Sequence, residues 1–225
     1  MKIVELFSSI DGEGIRTGKL VTFIRTYGCD LRCSYCDSIY ALEGTDYTEM
    51  DIPTILDKCK ELKNKCITLT GGEPLIHKDV DILIKELLKN GYEVNIETNG
   101  ATDISKFMTP DIMTDPTKLF FTIDYKTPFS KMENKMYMDN FYKHIRPNDV
   151  VKFVCANEED LDVMHKVVTN MKSILSKLPH IFISPVFGEI EPVELVKYIT
   201  KYDLQDVRVQ LQIHKLIWEP TMKGV

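Results

Sequence analysis

Cys29, Cys33 and Cys36 stand at C-x3-C-x2-C spacing inside the segment GCDLRCSYCDS, Gly28–Ser38. Clustered thiolates select iron–sulfur clusters, zinc or Cu(I). A structural zinc site wants four ligands, usually as two close pairs. Here there is one group of three, and Cys59, Cys66 and Cys155 fall within helix- or strand-like runs. The ferredoxin pattern of C-x2-C-x2-C with a further Cys before Pro is absent. Three thiolates on a cubane leave one iron without a protein ligand, and that iron can bind a small molecule. The turn Gly71-Gly72-Glu73-Pro74 adds a second chemical feature. It breaks the preceding strand-like run sharply, and its glycines let the backbone approach closely.

These groups need a scaffold, and the hydrophobic pattern supplies one. Strand-like runs cover Ile3–Phe7, Leu20–Tyr27, Cys66–Thr70, Tyr92–Glu97, Leu119–Tyr125, Asp149–Cys155, Ile181–Val186 and Val207–Ile213. Between them lie helical patterns: a helix capped by Thr48 or Asp51 and running to about Leu62, then Val80–Leu88 stopped by Gly91, Glu158–Leu178, and Pro192 to about Tyr202. Phe129–Arg146 has Met and aromatic residues without a clear period. Strand–helix alternation of this kind predicts an α/β fold with mostly parallel strands, either a partial barrel or a doubly wound sheet. In both, ligands sit beyond the carboxyl ends of the strands. The cysteine loop, GGEP, the Thr98-Asn99-Gly100 turn and Tyr125–Pro128 all fall at such ends, so they are expected to share one site.

Composition sets the frame. The 225 residues suit one domain, and 44% hydrophobic with 28% charged residues is ordinary for a globular chain. A net charge of −6 argues against nucleic acid as a partner. No apolar run of about 18 residues is present, and MKIVELFSS reads as a strand rather than a signal peptide. The expected location is the cytoplasm, where cysteines serve as ligands or free thiols rather than disulfides.

With Tyr35 just before the last cysteine and GGEP following, the chain resembles the radical S-adenosylmethionine superfamily. ELFSSIDGEG (Glu5–Gly14), Arg25, Asp37-Ser38, TGGEP and QLQIHKLIW (Gln210–Trp218) make it similar to the 7-carboxy-7-deazaguanine synthase family over nearly its whole length. The resemblance implies a partial (β/α) barrel over residues 1–225, with a tail from about 214 to 225 closing on the site. It implies a 4Fe-4S cluster on Cys29, Cys33 and Cys36, S-adenosylmethionine chelated to the open iron, and a 5′-deoxyadenosyl radical that takes hydrogen from substrate. The implied reaction converts 6-carboxy-5,6,7,8-tetrahydropterin to 7-carboxy-7-deazaguanine with loss of ammonia, in queuosine biosynthesis.

Residue by residue, the resemblance places Ile10, Asp11, Gly12, Glu13, Arg25, Thr70 and the Val225 carboxylate against the pterin. Arg25 suits the substrate carboxylate because a guanidinium makes paired contacts. Glu13 suits the N–H edge of the ring because an ionised carboxylate only accepts. Mg²⁺ would take Ser38, where many members carry Thr. S-adenosylmethionine would meet Tyr35, Cys36, Asp37, Gly72, Asn99, Asp124, Tyr125, Lys126, Ser184, Pro185, Val186 and Phe187. A common family form at 124–126 is a Ser-Pro-Lys-like triplet, of which only Lys126 is kept. Glu97 is expected to orient the loop or the ribose, and Lys152 has no assigned role. The implied partners are the pterin, a flavodoxin or ferredoxin as reductant, and a second copy of the chain as a homodimer. Two alternatives stay open on the residues alone: an activase that makes a glycyl radical on a partner protein, and a non-catalytic metal or redox protein.

Overall fold

The computed structural model describes residues 1–219 and 222–224. One sheet organises them, with nine strands: β1 (Lys2–Ile10), β2 (Leu20–Thr26), β3 (Thr48–Glu49), β4 (Cys66–Gly71), β5 (Glu93–Thr98), β6 (Leu119–Tyr125), β7 (Val150–Cys155), β8 (His180–Pro185) and β9 (Val207–Val209). Their spatial order is β3-β1-β2-β4-β5-β6-β7-β8-β9. From β2 onward every neighbour is parallel, while β1 pairs antiparallel with β2 and β3. The two end strands are β3 and β9, so the sheet is open.

Strand parity divides the sheet into two chemistries. On one face Ile24, Ile67, Leu69, Val94, Ile96, Phe121, Ile123, Val151, Phe153, Ile181 and Ile183 are fully buried. Each such side chain contributes roughly 1.5–3 kcal/mol when taken from water. They pack under α1 (Ile52–Leu62), α2 (Val80–Lys89), α3 (Glu158–Ile174) and α4 (Pro192–Lys201). The opposite face carries Arg25, Thr68, Thr70, Asn95, Glu97, Thr122, Asp124 and Lys152. Register pairs them across strands: Arg25 with Thr70, Thr68 with Asn95, Glu97 with Thr122, Asp124 with Lys152. A helix-covered parallel sheet normally reads as continuous apolar runs. Here alternate positions are polar because the second face surrounds a cavity.

Helix ends follow local chemistry. Asp51, not Thr48, caps α1, accepting from the Thr54 N–H at 2.9 Å. Thr48 instead pairs with Ile3 in the short strand β3. Asn157 caps α3 and accepts from the Asp160 N–H at 3.0 Å. That helix stops at Ile174 rather than continuing to Leu178. Leu175 turns to extended backbone, and Leu178 reaches the core from the following loop. The expected last strand is also shorter, ending at Val209. After the Gln210 N–H bonds to the Ile183 carbonyl at 2.8 Å, the chain leaves the sheet and turns back over the cavity. A short helix α5 (His214–Ile217) follows.

The segment without a clear period braces the site. It forms short turns at Pro128–Ser130, Glu133–Lys135 and Asn140–His144. Its Ser130 carbonyl accepts from the Ser34 N–H at 3.1 Å, and Tyr35 stacks near Phe129 at 6.3 Å between centroids. Asn140, fully buried, donates to the Gly100 and Thr102 carbonyls at 3.1 and 2.7 Å. The segment thereby ties the cysteine loop to the turn after β5. Among the described residues no helix is long and apolar enough to cross a membrane.

Candidate active site

A cavity of about 520 Å³ opens at the carboxyl ends of β2, β4, β5, β6 and β7. Small-molecule sites fall in the same range. Cys29, Cys33 and Cys36 line one side, with Tyr35, Asp37, Ser38, Gly72 and Asn99 around them. The thiols are half-buried, and burial pushes all three up from the ordinary thiol value. Each would need a strong positive partner to stay a thiolate. Among the described residues no three metal-binding side chains converge on a single ion. Three thiols presented by one loop suit a cluster, which spreads its ligands over separate irons. Gly72 fits the same picture. A Cβ there would strike the Gly28 carbonyl and the Cys29 side chain. Tyr35 Oη, at the cavity, is buried without a hydrogen-bond partner. Close backbone and an orphaned polar atom are what a bound polar cofactor would meet.

Glu73 explains why GGEP and the Asn99 turn act together. Its carboxyl accepts from the Leu75 N–H at 2.9 Å, the Thr98 hydroxyl at 2.9 Å and the Asn99 N–H at 2.6 Å. The Asn99 side chain in turn donates to Asp30 at 2.8 Å and approaches Cys29 Sγ at 3.6 Å. Complete burial pushes Glu73 up to about 7 despite those donors.

Arg25 and Glu13 line another part of the cavity, while Asp124 and Lys126 stand on the Cys33 side. Arg25 donates through Nε to Glu5 Oε2 at 2.9 Å, and the Tyr40 hydroxyl donates to the same oxygen at 3.0 Å. That leaves the two terminal nitrogens of Arg25 for the cavity. Glu13 accepts from Lys152 Nζ at 2.7 Å and from Gln212 Nε2 at 3.3 Å. Lys152 also lies 3.1 Å from Asp124 Oδ1, and Lys126 lies 2.5 Å from Asp124 Oδ2. Burial works to raise Asp124, but Lys126 and Lys152 outweigh it and hold it below the usual carboxylate value. Burial works to lower Lys152, yet Asp124, Glu13 and Glu97 raise it well above an ordinary lysine.

Glu97 is the exception among these carboxyls. Burial pushes it up to about 7, with Glu13 and Asp11 adding to the effect and Lys152 opposing it. A folded-state value above the 4.5 of a free glutamate means the folded chain holds a proton that the unfolded chain releases. Wild-type stability should therefore fall as pH rises from about 4.5 to about 7. Glu97→Gln lacks this titration. Its stability relative to wild type should rise by about 1–3 kcal/mol across that window, read by urea unfolding of the apoprotein at each pH. A pH-independent difference would contradict the assignment.

The C-terminal segment closes the far side. The Ile213 N–H donates to the Gly12 carbonyl at 3.0 Å, and His214 packs so closely on Gly12 that a side chain there would collide with the imidazole. Lys215 reaches Asp37 at 3.1 Å and lies over the Phe187 ring at 5.8 Å. The pocket walls work to raise Asp37, but Lys215 and the Ser38 hydroxyl hold it below the usual value. Glu219, Met222 and Gly224 also line the cavity, and Lys223 sits over Tyr40 at 4.1 Å. The expected contact from Val225 lies outside the described residues.

Most residues singled out in the sequence meet here: the three cysteines, Tyr35, Asp37, Ser38, Ile10, Gly12, Glu13, Arg25, Thr70, Gly72, Asn99, Asp124, Lys126 and Val186. Five do not line the cavity. Asp11 turns away to an ion pair with Arg16 at 2.8 Å and to the Thr68 hydroxyl at 2.7 Å. Tyr125 is at the apolar parity of β6, packed on Phe141 and Phe153 with its hydroxyl on Glu133. Ser184 is buried with no exposed face, Pro185 has the outward parity of β8, and Phe187 is 61% exposed. Sequence reasoning missed Glu5, Tyr40, Lys152, Gln212 and Lys215. Lys152 had a signal, as the one charged residue in VVKFVC.

Known proteins share the sequence and the fold of this chain. The Radical SAM superfamily matches residues 23–113. A 7-carboxy-7-deazaguanine synthase of Clostridium acetobutylicum is 43% identical over 226 aligned residues, covering 100% of this chain and 99% of the relative. One from Methanospirillum hungatei is 34% identical, covering 98% and 86%. The crystal structure of QueE from Escherichia coli superposes with a TM-score of 0.73 at 20% identity, covering 93% of this chain and 92% of that one. Streptococcus suis SuiB bound to S-adenosylmethionine shares the fold with a TM-score of 0.58 at 16% identity, over 85% of this chain and 49% of that one.

Proposed function

The chain belongs to the 7-carboxy-7-deazaguanine synthase family of the radical S-adenosylmethionine superfamily, and we propose how its pocket performs that family's reaction. The reaction is the ring contraction of 6-carboxy-5,6,7,8-tetrahydropterin to 7-carboxy-7-deazaguanine with loss of ammonia. When bound, the 4Fe-4S cluster and S-adenosylmethionine together supply the one-electron chemistry that starts hydrogen abstraction. Cys29, Cys33 and Cys36 hold the cluster. Gly72 lets the backbone come close to the methionine end of S-adenosylmethionine, while Asn99, Tyr35 and Lys126 surround the rest. The observation that supports this reading is that one cavity is lined by Cys29, Cys33 and Cys36 together with Arg25 and Glu13.

Arg25 turns its terminal nitrogens to the substrate carboxylate, with Nε already fixed by Glu5. Glu13 and the backbone of Ile10 and Gly12 face the pterin edge. Lys152 and Gln212 orient the Glu13 carboxyl. Gln212, His214, Lys215, Glu219, Met222 and Gly224 of the returning segment exclude water over the substrate, which strengthens every polar contact beneath them. Ser38 offers an oxygen to Mg²⁺: its hydroxyl donates to Asp37 at 3.0 Å, so its lone pairs remain for a cation. Mg²⁺ takes few protein ligands and keeps waters, and one serine oxygen plus substrate oxygens suits it. We extend the reading to a flavodoxin or ferredoxin as reductant, a homodimer and a cytoplasmic location, each resting on family membership.

The deciding experiment is anaerobic reconstitution followed by incubation with reductant, Mg²⁺, S-adenosylmethionine and carboxytetrahydropterin. The expected product is 7-carboxy-7-deazaguanine, identified by mass. S-adenosylmethionine cleavage with no deazapurine would overturn the substrate assignment. Arg25→Lys should raise the pterin KM about 10- to 100-fold, because a point charge loses the paired contact. The KM for S-adenosylmethionine should stay within about twofold, since Arg25 lines another part of the cavity. An unchanged pterin KM would remove Arg25 from the carboxylate.

A further inference from the structure

Lys152 reaches two carboxylates that line the cavity from different elements. Its Nζ lies 2.7 Å from Glu13 Oε1 and 3.1 Å from Asp124 Oδ1. Register places it directly opposite Asp124 on the neighbouring parallel strand, so the contact is built into the sheet. Glu13 instead belongs to the loop after β1, more than a hundred residues earlier in the chain. Asp124 passes the connection on to Lys126 at 2.5 Å, and Glu13 passes it to Gln212 of the closing segment at 3.3 Å. The result is a continuous polar chain: Gln212, Glu13, Lys152, Asp124, Lys126. It runs from the segment that covers the pterin to the lysine beside the cysteine loop. The carboxylates of Glu13, Asp124 and Glu97 face the Lys152 ammonium from three separate elements, and no other cation among the described residues bridges the first two.

Resting on the function proposed above, we infer that Lys152 is a positioning residue that couples occupancy of the pterin wall to the geometry of the S-adenosylmethionine wall. Its ammonium is hydrogen-bonded to Glu13 and ion-paired with Asp124, so one charge serves both carboxylates. A displaced Glu13 releases one of those contacts and lets Asp124 and Lys126 shift. Substrate that fits Glu13 holds the chain taut, so that cofactor cleavage and pterin chemistry stay in step. Without the ammonium, Glu13 and Asp124 face each other across a gap as like charges, and the two walls move independently.

The test compares Lys152→Met, Lys152→Arg and the double variant Lys152→Met/Glu13→Gln, each reconstituted anaerobically. All three are checked for iron content and melting temperature against wild type. Two quantities are read: 5′-deoxyadenosine released per deazapurine formed, and the KM of each ligand. Lys152→Met should raise the 5′-deoxyadenosine-to-deazapurine ratio at least tenfold and raise the pterin KM similarly, at unchanged iron content. Lys152→Arg, which keeps a bridging cation, should restore the ratio to within about threefold of wild type. The double variant removes one of the facing charges and serves if Lys152→Met does not fold. It should regain stability yet keep the raised ratio, because the link is still missing. A lower rate with an unchanged ratio in the folded variants would overturn the coupling role and leave Lys152 structural. Failure of wild type to form any deazapurine would instead strike the proposed function, which separates the two outcomes.

Discussion

Cys33→Ala is expected to yield a folded chain that binds little iron after reconstitution and cleaves no detectable S-adenosylmethionine. Cys33 lies between the other two cysteines in the loop, and both of them act on its thiol. It is half-buried against the core, so its loss removes one small side chain from the packing. The stability cost should be of the order of 1 kcal/mol, far below what unfolding requires. The chemical cost is different in kind. With two thiolates left, a cubane has two unprotected irons and no defined seat for the chelating ligand. Cys29→Ala and Cys36→Ala should behave alike, whereas Cys59→Ala, on the buried face of α1, should keep its iron and its activity. Iron and acid-labile sulfide analysis, with chromatography for 5′-deoxyadenosine, reads all four. Persistent cleavage in Cys33→Ala at full iron content would refute the ligand assignment.

Arg16→Met should lower stability by about 3–5 kcal/mol, the largest structural effect anticipated for a single substitution here. Arg16 is buried, paired with Asp11 at 2.8 Å and bonded to the Thr68 hydroxyl at 2.6 Å and the Ile67 carbonyl at 3.0 Å. Methionine fills much of the same volume but leaves the Asp11 carboxylate buried without its cation. Desolvation already raises Asp11, with Arg16 as the first opposing influence. The double variant Arg16→Met/Asp11→Asn should recover part of the loss, because no bare charge is then left inside. Urea unfolding of the apoproteins measures both. The effect reaches the site through Gly12 and Glu13, which follow Asp11 in the same loop. A loss under 1 kcal/mol in the single variant would show that the pair stabilises nothing net.

The sequence carried the thiol loop and the strand ends because both are local patterns. Three cysteines within eleven residues and a glycine pair closing an apolar run need no tertiary information. Most strands and helices were legible for the same reason. What failed was longer in range. Asp11 stands between two cavity residues, yet its side chain points toward Arg16, and nothing in IDGEG announces that partner. Tyr125 has the wrong parity to line the cavity beside Asp124, which strand alternation could have shown. The Val207–Ile213 run is apolar enough for a full strand. Beyond Val209, however, the Gly12 carbonyl and the Glu13 carboxyl offer Ile213 and Gln212 better partners than a sheet edge does. Lys152 was visible as an anomaly but could not be assigned, because Glu13 and Asp124 meet it only in the folded chain. The same holds for Arg25, whose orientation depends on Glu5 and Tyr40 across a hairpin and a loop.

The central claim is that Cys29, Cys33 and Cys36 hold a cluster with one iron open to S-adenosylmethionine. Electron paramagnetic resonance of the reduced, reconstituted protein tests it most directly, with S-adenosylmethionine labelled with ¹⁵N at its amino group. The account predicts an altered signal on addition of the ligand and hyperfine coupling to the labelled nitrogen, both lost in Cys33→Ala. A signal indifferent to S-adenosylmethionine, or anaerobically purified protein holding near-stoichiometric zinc and no labile sulfide, would contradict it.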